Sequence, residues 1–286
     1  MKNKNYYAIT LDILEEDLEI GYAILTDFPF IGMEELFDKI ILYFEERDWN
    51  DAVKNNLENQ LFANLPNSKI SNIQIMPEQN WNEEWEKNVE PVIISDTLVI
   101  TPQWKAYNFD VKNKIIINPK MSFGTGQHST TKQMAIMIEN FFTKKKKKNI
   151  WIDAGTGTGV LAIISAKLGA KKIYAFDNDE WAIENAIENV ELNSVQDKIK
   201  IIHSGIDDYD FPKADCITAN MFLGLIIRSF KKFYNSLKMS YGTLFISGIL
   251  LFDRDELLKS AIENGFDLVE ERQELEWCCF EFKVKQ

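Results

Sequence analysis

The ten residues Ile150–Gly159, reading Ile-Trp-Ile-Asp-Ala-Gly-Thr-Gly-Thr-Gly, constrain the fold of this chain more than any other stretch. An apolar run ends in a carboxylate, three alternating glycines follow, and the apolar spacing from Gly159 to Leu168 predicts a helix. Glycines permit a tight turn and let a ligand approach bare backbone. Asp177 lies 22 residues beyond Gly155, at the end of the next expected strand, Lys172 to Asp177. There its carboxylate can accept hydrogen bonds from both hydroxyls of a ribose. Strand, turn, helix and distal carboxylate together imply a nucleoside cofactor.

Two cofactor classes compete for that geometry. Dinucleotide sites use G-x-G-x-x-G, but after Gly155 and Gly157 the third glycine position holds Val160. The spacing is G-x-G-x-G, with Asp153 two residues ahead of the first glycine. This pattern resembles the first motif of the class I S-adenosylmethionine-dependent methyltransferases, in which the loop cradles the methionine portion of the cofactor. A nicotinamide oxidoreductase is the competing enzyme class, and a glycine-rich turn without a ligand is the plainest alternative.

The surrounding pattern fixes a fold class. From Thr97 onward, strands alternate with helices, which implies a parallel sheet covered on both faces. Helices are expected at Thr130–Phe142, Gly159–Leu168, Asp179–Asn193, Leu223–Leu237 and Asp253–Asn264. Strands are expected at Asn149–Asp153, Lys172–Asp177, Lys198–His203, Ala214–Asn220, Thr243–Ile249 and Glu276–Lys285. Before that, Tyr6–Leu14, Tyr22–Asp27, Lys39–Glu45 and Ile70–Met76 read as strands, Glu16–Leu25 as helix or strand, and Val53–Asn64 as a helix. Between the two patterns, Pro77 and Pro91 bracket a polar segment whose Trp81 and Trp85 share one face of a short helix. The expected organisation is a small α+β domain over 1–76, a helical linker over 77–90 and a Rossmann-like α/β domain over 91–286.

Charge and composition exclude several functions. Residues 1–66 hold 5 Lys+Arg against 14 Asp+Glu, net −9, out of −12 for the whole chain. That surface argues against direct nucleic-acid binding and suits a basic protein partner, or is simply a solvated acidic face. No apolar run approaches the ~20 residues of a membrane span, and Met1 to Asp12 lacks a signal-peptide pattern, so a cytoplasmic protein is expected. The three cysteines have neither metal nor disulfide spacing and are expected as free thiols. With only His128 and His203 present, a His-rich zinc site is unavailable.

Two further constellations carry chemistry. The stretch Asn118–Thr131 contains Phe123, Gly124, Thr125, Gly126 and His128, a loop that can close over a ligand. It runs into a helix that Thr130 and Thr131 can cap, unless Thr131 contacts the cofactor instead. His128 suits either a base or a hydrogen bond that orients the loop. Ala219-Asn220 ends an apolar strand at the position where a side chain enters the ligand crevice. An Asn there can hold a cofactor carboxylate and an incoming amine, or make an Asx turn.

The order F-G-T-G-x-H-x-T-T, then D-x-G-x-G-x-G, then Asp177, then Ala219-Asn220, resembles the bacterial methyltransferases of ribosomal protein L11 (PrmA). Asn80 to Trp85 and Pro102-Gln103-Trp104 share that likeness, which covers residues 77–286 and rests over 1–76 on length and strand pattern alone. The resemblance implies a ferredoxin-like first domain that holds the substrate, and transfer of methyl groups from S-adenosylmethionine to lysine or N-terminal amines of L11. It implies cofactor contacts from Thr131, Gly155, Asp177 and Asn220; the glycine loop adds Gly157, and Asn220 is also expected to align the acceptor amine. Phe123, Thr125, Gly126 and His128 would close the site, and Gly205, Ile206 and Asp207 are candidates to neighbour the adenine. Met121-Ser122, where the family has smaller apolar residues, is a departure. The expected protein is a monomer that binds neither membrane nor nucleic acid. The alternatives are a lysine methyltransferase of another basic protein, or a non-catalytic S-adenosylmethionine-binding module.

Overall fold

A computed structural model describes residues 5–14, 17–36, 39–77, 89–118, 120, 122–144 and 149–285. The linker tryptophans Trp81 and Trp85, Met121 and most of the lysine run after Phe142 lie outside the described residues. The chain divides into two compact units, Met1–Trp81 and Asn82–Gln286.

In the first unit the elements run β1 (Asn5–Asp12), α1 (Leu18–Leu25), β2 (Gly32–Leu36), β3 (Lys39–Glu45), α2 (Asp51–Asn64) and β4 (Lys69–Pro77). The strands order as β2-β3-β1-β4 and every pair is antiparallel. This is the split βαββαβ arrangement of ferredoxin-like domains. Alternation places Ile9, Leu11, Ile40, Leu42 and Phe44 on one face, all fully buried, against Leu57 and Leu61 of α2. Asn50 starts α2 by accepting from the amides of Ala52 (3.0 Å) and Val53 (3.1 Å).

Two expectations fail in this unit. Tyr22–Asp27 is not a strand: it is the end of α1 and the turn after it. Gly21, Ile24 and Leu25 are all buried there, a helical spacing that overrides the local apolar run. The strand β2 was not expected because it is an exposed edge whose Gly-Met-Glu-Glu-Leu sequence carries charge where another chain would pair.

The second unit opens with β5 (Val92–Ser95), β6 (Leu98–Thr101) and β7 (Asn113–Ile116), a three-stranded sheet. It continues with α3 (Ser129–Thr143), β8 (Ile150–Ala154), α4 (Val160–Leu168), β9 (Lys172–Asp177), α5 (Glu180–Leu192), β10 (Ile199–His203) and β11 (Cys216–Asn220). It ends with α6 (Leu223–Leu237), β12 (Thr243–Leu250), α7 (Arg254–Glu263), β13 (Phe266–Glu274) and β14 (Trp277–Val284). The seven strands β8 to β14 order as β10-β9-β8-β11-β12-β14-β13. Pairs from β10 through β12 are parallel, as their intervening helices require.

The last strand departs from the parallel sheet expected. β14 enters antiparallel between β12 and β13. A short turn joins β13 to β14, and such a connection permits only an antiparallel pair. β13 escaped notice because its run of Glu, Arg and Gln hides the alternation of an edge strand.

Packing centres on β8. Trp151 is fully buried, stacked between Phe142 (5.4 Å) and Phe245 (5.9 Å), so the strand that carries the glycine turn is held from both sides. Connections from β8 run outward through β9 and β10, whereas β11 and β12 lie on its other side. The order therefore reverses between β8 and β11, and a ligand crevice is expected beyond their carboxyl ends.

Side-chain amides of α5 and its C-cap brace the segment leading into the loop. Asn193 exchanges two bonds with Ile116, accepting from its N–H (2.9 Å) and donating to its carbonyl (2.6 Å). Asn189 accepts from the Asn118 N–H at 2.8 Å, and Asn185 donates to the Asn118 carbonyl at 3.2 Å. These amides pair backbone groups that no neighbouring strand serves, which is why they can be buried. No described helix is long and apolar enough to cross a membrane, and all three cysteines are buried and outside any disulfide.

Candidate active site

The glycine turn is shaped by hydrogen bonds to the end of β9. The amides of Gly155 and Thr156 both donate to the Phe176 carbonyl at 3.0 Å. The Gly157 amide donates to Asp177 Oδ2 at 2.9 Å, and the Asp179 amide donates to Oδ1 at 3.1 Å. Gly157 has φ +53°, and a Cβ there would overlap the Phe123 carbonyl oxygen, so the position demands glycine. Each Asp177 oxygen thus keeps a backbone partner and retains a lone pair for a diol.

Asp153, the other motif carboxylate, faces inward. It is 2% exposed and accepts from the hydroxyls of Thr156 and Thr218, both at 2.6 Å. Burial pushes its carboxyl above the usual range, and the two threonine hydrogen bonds pull it back only in part. Its work is to brace the turn from beneath.

Beyond the turn lies a cavity of about 450 Å³. Phe123, His128, Thr131, Gly157, Asn220 and Trp277 stand on its wall, contributed by a loop, a helix, the glycine turn and two strand ends. Asn220 Nδ2 donates to Thr130 Oγ1 at 3.2 Å, and that hydroxyl sits 2.8 Å from His128 Nδ1. The same nitrogen accepts from the Thr130 amide at 3.3 Å, capping α3, so His128 rather than Thr131 is the cap. The His128 ring lies 5.3 Å from Phe123 and 5.1 Å from Trp277. With Nδ1 committed as an acceptor and the ring held between aromatics, His128 orients the loop.

Thr131 is the odd one out. It is 1% exposed and its hydroxyl has no partner among the described residues, although it lies on the cavity wall. A buried hydroxyl left unpaired costs about 1–3 kcal/mol, which a ligand in the cavity would recover.

An adjoining lobe of about 400 Å³ shares Gly155, Asp177, Asn178, Met221 and Leu225 with the first, so the two form one cleft. Ile206 gives it an apolar surface, and Gly205 and Asp207 also line it. The lobe is tied to the end of β9 by the Ser204 amide, which donates to the Asp177 carbonyl at 2.8 Å. Lys232 clamps it from α6, donating to the carbonyls of Ile206 (2.9 Å), Asp207 and Tyr209 (3.4 Å). The donor set fits S-adenosylmethionine: an apolar shelf for the base, a carboxylate for the ribose, and bare backbone, an orphan hydroxyl and an amide for the amino-acid end.

Of the residues singled out in the sequence, Phe123, His128, Thr131, Gly155, Gly157, Asp177 and Asn220 come together on the inner cavity, and Ile206 lines the outer lobe. Thr125 and Gly126 do not line either lobe; Gly126 instead packs backbone against Ile100. Trp277 and Met221 were missed, whereas Thr130, expected as a cap, stands on the inner cavity too. No local pattern marks Trp277, which reaches the site only because β14 inserts beside β12.

The sheet order, its single inserted antiparallel strand and the cleft at the β8/β11 reversal define a class I methyltransferase. The particular family follows from comparison: the chain belongs to the ribosomal protein L11 methyltransferases (PrmA), whose family description matches residues 13–285. A relative from Chlorobaculum parvum with that name is 32% identical over 281 residues, covering 96% of each chain. One from Acetivibrio thermocellus is 36% identical over 203 residues, which is 71% of this chain and 63% of the relative. Among solved structures, a ribosomal protein L11 methylase from Lactobacillus delbrueckii subsp. bulgaricus superposes with a TM-score of 0.62 at 27% identity. It covers 69% of this chain and all of that one.

Proposed function

We propose that this chain transfers methyl groups from S-adenosylmethionine to lysine or N-terminal amines of ribosomal protein L11. The observation that carries the reading is one continuous cleft. Asp177, read as the ribose partner, lines it, as do Asn220 and the Thr131 hydroxyl, unpartnered among the described residues and read as the reacting end. When bound, S-adenosylmethionine supplies a methyl group already activated by a positively charged sulfur, so positioning and exclusion of water are what the protein must add.

Each residue then has a task its geometry permits. Asp177 holds the ribose hydroxyls, Gly155 and Gly157 admit the amino-acid portion, and Thr131 satisfies its hydroxyl against it. The Asn220 amide nitrogen is engaged by Thr130, which leaves Oδ1 to accept an N–H from the acceptor amine and aim its lone pair inward. The amine must arrive neutral, and water at the open mouth takes the proton. Phe123, His128 and Trp277 wall off the inner cavity. Residues 1–76 serve as the substrate-holding domain and 77–90 as its link to the catalytic domain over 91–286. The net charge of −9 over residues 1–66 suits a basic ribosomal protein. The protein works as a cytoplasmic monomer on a protein rather than on nucleic acid.

The test is transfer of labelled methyl from S-adenosylmethionine into a mixture of free ribosomal proteins. Label is expected on L11 with the wild-type chain and is expected to be lost with Asn220→Ala. Label on a different basic protein reassigns the substrate, and cofactor binding without transfer to any protein refutes catalysis.

A further inference from the structure

Thr158 takes no part in lining the cleft, yet it is completely buried and spends all its polar groups on other segments. Its amide donates to the Phe123 carbonyl at 2.9 Å, and its hydroxyl donates to the Gly124 carbonyl at 2.7 Å. Its own carbonyl accepts from Asn189 Nδ2 at 3.0 Å. Asn189 Oδ1 accepts from the Asn118 amide at the root of the same loop. One residue of the glycine turn therefore joins the loop tip to the helix that fixes the loop root.

We propose that Thr158 is a positioning residue that latches the Phe123–His128 loop onto the glycine turn, so that the two walls of the reacting cavity are set as one body. The contact between loop and turn is nearly bare backbone. A Cβ on Gly157 would overlap the Phe123 carbonyl oxygen, and a Cβ on Gly124, whose φ is +111°, would lie 2.7 Å from the Thr158 hydroxyl. Surfaces without side chains cannot interlock by shape, so the two hydrogen bonds set their register. Register matters because the loop carries Phe123 and His128 onto the cavity wall, and His128 caps the helix that bears Thr131. A turn of this kind needs only a small residue at position 158; the hydroxyl is what the loop uses. The kinetic consequence rests on the function proposed above, whereas the latch itself does not.

The experiment compares Thr158→Val, which keeps the amide and shape but removes the hydroxyl, with Thr158→Ser in the full-length chain. Hydrogen exchange at the residue-158 amide is read with and without S-adenosylhomocysteine, beside kcat and KM for methyl transfer to L11. A buried hydrogen bond of ordinary strength predicts exchange about tenfold faster and kcat about tenfold lower for Thr158→Val, with the cofactor KM moving less than about threefold. Thr158→Ser should recover most of both losses. Exchange and kcat at wild-type levels in Thr158→Val would overturn the proposal, as would an equal loss in Thr158→Ser. If Thr158→Val does not fold, Gly124→Ala, which pushes the loop off the same hydroxyl, must show the faster exchange; slow exchange there would also overturn it. A wild-type chain that fails to methylate L11 sinks the proposed substrate and leaves the exchange result to decide the latch.

Discussion

Replacing Asp177 by asparagine looks conservative and should not be. The carboxylate accepts two backbone amides, from Gly157 at 2.9 Å on one oxygen and from Asp179 at 3.1 Å on the other. Asparagine has one oxygen, so one N–H must face an NH2 group, donor against donor. Losing a hydrogen bond to a charged group costs about 1.5–3 kcal/mol, and each kcal/mol lowers Tm by roughly 2–4 °C in a domain of this size. The apo protein should therefore melt at least about 3 °C lower. Cofactor affinity should fall further, because the amide can accept from only one ribose hydroxyl. A second loss of about 1.5–3 kcal/mol raises the Kd tenfold to a hundredfold. Titration calorimetry with S-adenosylhomocysteine measures that Kd directly. Asp179→Asn is the matched control: Asp179 caps α5 by accepting from the Trp181 amide at 3.0 Å, and asparagine caps equally well. Asp177→Asn binding within threefold of wild type, with Tm unchanged, would refute the assignment.

Other consequences are as direct. Gly157→Ala imposes a left-handed conformation on alanine, costing about 1–2 kcal/mol, and drives its Cβ into the Phe123 carbonyl; S-adenosylhomocysteine affinity measured calorimetrically should fall at least about tenfold. Burial raises the Asp153 carboxyl in the folded state, so its contribution to stability is present below the unfolded carboxylate value of about 3.9 and is lost as pH rises through the folded value. Urea unfolding should accordingly show the stability of Asp153→Asn relative to wild type improving as pH rises above about 4. All three thiols are buried, and burial pushes Cys279 up to about 12, so a thiol reagent at pH 8 should label none of them in the native protein and all three in denaturant.

The catalytic unit was largely legible in the sequence because its signals are local. The glycine turn must be glycine where backbone meets backbone, Asp177 and Asn220 each end an apolar strand, and the helices repeat their apolar residues with helical spacing. What escaped was set by long-range pairing. Exposed, charged β2 and β13 do not alternate clearly, and Trp277 acquires a place at the site only when β14 inserts antiparallel beside β12. Tyr22–Asp27 misled because a short apolar run has no period of its own until the core selects a face. His128 could be read as base or brace, and its two neighbours on Thr130 decide for the brace. Thr158 gave no sign at all, since a latch between loop and turn exists only in three dimensions.

Intact-mass spectrometry of purified ribosomal protein L11, incubated with this chain and S-adenosylmethionine, tests the central claim most directly. The account predicts that L11 gains mass in whole methyl increments, that the gain maps to lysine or N-terminal amines, and that Asn220→Ala abolishes it while S-adenosylhomocysteine still binds. An unchanged L11 mass, under conditions where the wild-type chain is saturated with cofactor, would contradict it.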